Sequence, residues 1–185
     1  MKGSFMARQR KTAVQAESVT TAVEQEIAPV ATKIVPKEID LGMYIPVRNG
    51  FQGSLCYISS RTREVFEWEN FGDTQEIELR ELRNAKSSAK KFFEKNWFMF
   101  DEEYKWVISY LGLNQYYKNA INLEDFDDLF KKDPAELREI ISRLSDGQRS
   151  SVAFRARQLV AEGGIDSLKV ISALESILGI ELIEK

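Results

Sequence analysis

The runs YIPVRN (44–49), SLCYISS (54–60), EVFEWEN (64–70) and QEIEL (75–79) decide the fold class of this chain. Each is short and rich in β-branched and aromatic residues, and the turn candidates NGFQG, SRTR and NFGDT separate them. Strand pleating alternates facing, so Val65 points away from the face shared by Phe66 and Trp68, while Ile77 and Leu79 share a face opposite Glu76 and Glu78. The spacing therefore predicts about four strands in a β-meander with one core face and one wet face. Pro46 has no amide donor, which suits an edge position or a strand start. Such a meander can curl into a small SH3-like barrel or stay a plain sheet covered by helices.

C-terminal to this region the apolar period changes. From about residue 80 it is helical, with RELRNAKSSAKKFFEKN opening one or two helices. DEEYKWVISYLG sets Tyr104, Val107, Ile108 and Leu111 on one stripe, and Gly112 suits a left-handed stop. LNQYYKNAI and LEDFDDLFKK read as two short helices, the second capped by Asn122 with Leu123, Phe126, Leu129 and Phe130 inward. DPAE carries the strongest local signal: Asp133 caps, Pro134 fits the first turn and Glu136 stands at the capping-box position. Ser145 or Asp146 caps a further helix with Val152, Ala156, Leu159 and Val160 as its stripe, terminated by Gly163. A last helix opens at Asp166, aligns Leu168, Ile171, Leu174, Ile177 and Leu178, and ends at Gly179.

N-terminal to the strands the composition differs. Up to about residue 38 the only aromatic is Phe5, and Lys2, Arg8, Arg10 and Lys11 precede Glu17, Glu24 and Glu26, which reads as a flexible polar arm that orders, if at all, on a partner. The expected division is thus an arm (1–40), a small β domain (41–84) and a helical domain (85–185), an α+β fold. MKGSFMARQRKT leads into no apolar core, so no secretory signal is expected, and Met6 is an alternative start to Met1.

The 185 residues include 26 basic and 29 acidic ones, one cysteine and no histidine, for a formal charge of -3. Cysteine-based metal cages, internal disulfides and histidine-dependent catalysis are thereby excluded, and no cofactor or metal is expected. Cys56 reads as a small buried hydrophobe. GFQG (50–53) and Gly163–Gly164 lack both the dinucleotide fingerprint and the P-loop ending. The acidic groups Asp101, Glu102, Glu103 and Glu124, Asp125, Asp127, Asp128 lack a calcium-loop pattern and read as helix-start charges.

Two interaction readings remain. Lys86, Lys90, Lys91 and Lys95 interleave with Phe92, Phe93 and Trp97, a mix that can contact phosphates and stack bases. Against that use, the lysines spread around a helix, Phe92 and Phe93 read as core, and residues 44–84 are net acidic. Trp68, Trp97 and Trp106 read as core residues with interface anchoring as the competing use. An arm followed by a compact body is also the plan of proteins that fasten into assemblies.

The segments YIPVRNGFQGSLCYIS, VFEWENFGDTQEIELRELRNAK, KKFFEKNWFMFDEEYKWVISYLGL and SDGQRSSVAFRARQLVAEGGIDSLKVISALESILGIEL together resemble small virion or structural proteins of tailed bacteriophages. The resemblance covers about three quarters of the chain and brings no catalytic motif. It implies a non-enzymatic assembly component of a phage capsid, head-to-tail connector or tail, made in the host bacterial cytoplasm and present in the virion in symmetric copies. Its partners would be other virion proteins, with no membrane, and Phe51, Phe71 and Asp73 in the glycine-containing turns are the expected protein contacts. The alternative is a nucleic-acid-binding regulator or packaging accessory using Arg8, Arg10, Lys11, Lys90 and Lys91.

Overall fold

The computed structural model describes residues 38–183, so the arm's Arg8, Arg10 and Lys11 lie outside the described residues. The described strands are β1 (Tyr44–Asn49), β2 (Leu55–Ile58), β3 (Val65–Trp68), β4 (Thr74–Glu78) and a two-residue β5 (Phe98–Met99). The described helices are α1 (Leu79–Ser88), α2 (Lys91–Glu94), α3 (Trp106–Tyr110), α4 (Asn114–Tyr117), α5 (Pro134–Arg143), α6 (Asp146–Ala161) and α7 (Leu168–Leu178). The fold is α+β.

All four anticipated strands form, yet they do not pair consecutively as a meander. β1 is central in an antiparallel sheet of order β4-β1-β5, and β2 pairs only with β3 in a separate hairpin. Long-range apolar matching selects this arrangement: Ile45 and Ile77 are cross-strand partners, and both are fully buried. Pro46 sits in this central strand without breaking a ladder. Asn49 N–H donates toward β4 and Gly50 N–H toward the β5 side, so alternation turns the nitrogen of residue 46 to the β5 side, where β5 reaches only Arg48 and Asn49.

Two apolar cores follow. The first joins the inner faces of both sheets to α1–α4, and its centre is Phe98, whose ring lies 4.8–5.6 Å from those of Phe92, Phe93, Trp68 and Tyr57. Trp68 Nε1 donates to the Val47 carbonyl at 2.9 Å, tying the hairpin to the sheet. The second core is built by Phe126, Leu129 and Phe130 with α5, α6 and α7, around Leu137, Ile141, Val152, Ala156, Ile171 and Leu174. Helix α6 turns the expected stripe Val152, Ala156, Leu159 and Val160 to the second core, and its Gly147 and Ser151 pack against Lys95 and Gly50.

Local helix signals hold where the chain provides its own cap. Asp133 accepts from the Ala135 and Glu136 amides, Ser145 accepts from Gln148, and Gly112, Gly163 and Gly179 all take positive φ. Glu136 does not close a capping box; its carboxylate pairs with Lys132.

Four expectations are corrected. Cys56 is exposed, because Leu55 and Tyr57 take the inward positions of β2. Asn122 caps no helix, and residues 127–131 form a 3-10 turn, since Glu124 and Asp127 are drawn into separate ion pairs with Arg48 and Arg155. Asp166 does not cap α7, whose N-cap is Ser167 without a side-chain bond. Leu168 is 71% exposed at the helix start, ahead of the first turn that reaches the core.

Candidate interaction surface

The turns NGFQG and NFGDT, separate in sequence, meet around one side chain. Asn49 is fully buried at the end of β1, and its Nδ2 donates to the carbonyls of Gly53 (2.7 Å) and Asn70 (2.9 Å) while its Oδ1 accepts from Phe51 N–H (2.8 Å). Its own backbone N–H donates to Asp73 and its carbonyl accepts from Gly72. Every polar group of this asparagine is therefore satisfied, and each bond fixes one of the two turns. Asp73 completes the second turn, its Oδ2 accepting from the amides of Asn70 (2.7 Å) and Glu69 (3.1 Å).

Helix α6 docks against these turns through small residues. Ser151 Oγ donates to the Gly50 carbonyl (3.1 Å) and accepts from Gln52 N–H (3.3 Å), with no exposure. Gln148 pairs both ways with the backbone of Ile121, at 3.0 and 2.9 Å. Glycine is required at two contacts: a Cβ at Gly147 would stand 2.1 Å from the Lys95 carbonyl oxygen, and one at Gly50 2.2 Å from that of Asn96.

Between the turns and α6 lies an open groove of about 540 Å³. Its apolar lining includes Phe71, Leu123, Phe126 and Phe154; the Phe71 and Phe126 rings are 5.0 Å apart and Phe154 is 46% exposed. Its polar rim is neutralised in place. Arg155 grips Asp127 with two bonds of 2.9 and 2.6 Å, which holds the Asp127 carboxyl below its ordinary value. Arg48 bridges Asp101 (2.9 Å) and Glu124, joining two acidic groups that lie far apart in sequence. The Glu124 carboxyl is held low by its own backbone N–H and then by Arg48. A rim whose charges are already paired leaves shape and apolar contact as what the groove offers a partner.

Of the residues singled out from sequence, Phe71 lines this groove half-buried. Phe51 does not line it and sits instead edge-on to Trp97 at 5.7 Å. Asp73 serves its own turn. Lys90 is paired with Glu94 at 2.8 Å and lies over the Tyr116 ring, so its ammonium is held charged well above the usual lysine range, by Glu94 first and Tyr116 next. Lys91 and Lys95 are exposed, with their ammonium groups 5.9 and 5.2 Å from the centre of Trp97. Trp68 and Trp106 are buried in the first core, and Trp97 is half-buried at its edge. Phe154, Asn49 and Ser151 were not identified from sequence; Phe154 carries no signal of its own, and an Asn preceding Gly suggests only a turn.

Among the described residues no three Asp, Glu or Cys side chains gather as metal ligands would, and no helix is long and apolar enough to cross a membrane. No protein-family model, curated protein or solved structure matches the chain.

Proposed function

We propose that this chain is a non-enzymatic structural or assembly component of a tailed-phage particle, seated in its capsid, head-to-tail connector or tail and binding neighbouring virion proteins through its folded body. The phage context comes from the sequence resemblance. The observation that carries the binding role is the groove between the two Asn49-pinned turns and α6, where a half-exposed phenylalanine faces an apolar floor beside charges already paired. A rigid, preformed apolar groove favours docking of a neighbour because little ordering remains to be done on contact. In this reading Phe71 and Phe154 supply contact area, and Asn49 and Asp73 hold the shape.

The test is to band particles from infected-cell lysate on a density gradient and quantify this protein against the major capsid protein. A fixed ratio in intact particles is expected, its value separating a many-copy capsid role from a ring at the connector or tail. Recovery only in the soluble fraction would overturn the reading.

A further inference from the structure

The surface carries two patches that complement each other in both charge and apolar character. One is the outer face of the β2–β3 hairpin. Cross-strand pairing sets Ile58 opposite Val65 and Cys56 opposite Glu67, and these four side chains point away from the core because Leu55, Tyr57, Phe66 and Trp68 point into it. Ile58 and Val65 are 56% and 52% exposed, an apolar pair on an open face, and Glu67 and Glu69 stand beside it without a basic partner among the described residues. The nearby Arg61 is turned inward to Glu81 and Glu78.

The other patch lies at the edge of the first core. There Phe51 and Trp97 form a half-buried edge-to-face pair, and Lys91 and Lys95 hold their ammonium groups around the indole, with no carboxylate among the described residues paired to either. Both patches border one aromatic layer: Tyr57 of the hairpin reaches the Phe92 ring at 5.4 Å, and the Lys91 ammonium lies 5.5 Å from the same ring.

We infer that copies of this chain associate head to tail, the Ile58, Val65, Glu67 and Glu69 face of one seating on the Phe51, Trp97, Lys91 and Lys95 face of the next. Such a contact joins two different patches and so propagates, closing into a ring where the rotation permits and running on as a filament where it does not. Nucleic acid fits these observations less well. It would use the lysines alone, the ammonium groups occupy the ring surface that a base would stack on, and the hairpin carboxylates repel it. The contact deepens the assembly role proposed above and rests on that role for its purpose, yet it is measured on purified protein without phage, so the two can fail separately.

Sedimentation equilibrium of the full chain over a range of concentrations, at about 0.02 M and about 0.5 M salt, tests it, because screening at the higher salt weakens exposed charge pairs. The average mass should rise with concentration at low salt and fall back at high salt. K91E/K95E and E67K/E69K should each weaken association about tenfold or more, and the chain carrying all four reversals should regain it, which a folding defect would not do. A wild-type chain that stays monomeric, a double reversal without effect, or a fourfold variant that does not recover would each overturn the contact. So would loss of binding to a single-stranded DNA oligonucleotide in K91E/K95E with no change in mass, which would assign the lysines to a polyanion.

Discussion

The two cores of this protein are built on different principles. The first assembles short strands and helices of four to ten residues around stacked aromatic rings, with Phe98 of the two-residue β5 at its centre. The second packs α5, α6 and α7, of 10 to 16 residues, through aliphatic stripes, and two of these helices carry a side-chain N-cap. Elements as short as those in the first core are not stable alone, so they owe their form to long-range contacts. Helices of the second core begin and end on local chemistry and are then fixed by packing.

The first core should be most sensitive at Phe98. Phe98→Ala removes the ring that touches four others and should cost about 3–5 kcal/mol, read as a lowered urea midpoint with loss of near-ultraviolet aromatic dichroism. A cost below about 1 kcal/mol would show that the first core does not depend on its aromatic centre.

A smaller effect separates the regions by pH. Glu81 is 2% exposed in the first core, where Tyr57 OH (2.6 Å), Asn84 Nδ2 (2.9 Å) and Arg61 Nε (3.2 Å) donate to its carboxylate. Burial alone would push its carboxyl up, but the hydrogen bonds from Tyr57, Asn84, Ser59 and Arg61 outweigh that and hold it below the ordinary carboxylate value. A lowered folded value means that Glu81 stabilises the fold in full above the ordinary carboxylate range and ceases to do so as pH falls through the folded value. Glu81→Gln should therefore cost about 1–2 kcal/mol at neutral pH and flatten the acid limb of the stability curve. An unchanged acid limb in the variant would place the acid sensitivity elsewhere.

The smallest effect is expected in the second core. Asp133→Ala removes the two cap bonds of α5 and should cost about 1 kcal/mol, seen as faster hydrogen exchange in the first turn of that helix. An effect as large as that of Phe98→Ala would mean that α5 also depends on remote contacts.

The same contrast explains what was legible. Asp133, Pro134, Ser145, Gly112, Gly163 and Gly179 act on neighbours within one turn, so their roles can be read from adjacent residues. Alternation likewise marked Phe66 and Trp68 as inward. Pairing partners were not legible, because β1 selects β4 and β5 over its sequence neighbour β2 through burial shared across 26 to 51 residues. The change of period at residue 80 marks a change of element type, yet α1 to α4 pack into the same core as the strands before them. Of the candidate surface, Phe71 was legible as a turn residue, whereas Asn49 and Phe154 gain their meaning only from what stands beside them.

By itself the sequence determined the α+β composition, the positions of the four main strands, the caps and stops of the C-terminal helices and the lack of cysteine and histidine chemistry, since all of these depend on residue type and short-range spacing. Tertiary packing fixed the sheet order, the gathering of two turns around Asn49, the ion pairs that occupy the acidic runs and the outward facing of Cys56 and Ile58. Those outcomes turn on which buried surfaces and polar groups satisfy one another across the folded chain, a choice made by the whole chain at once.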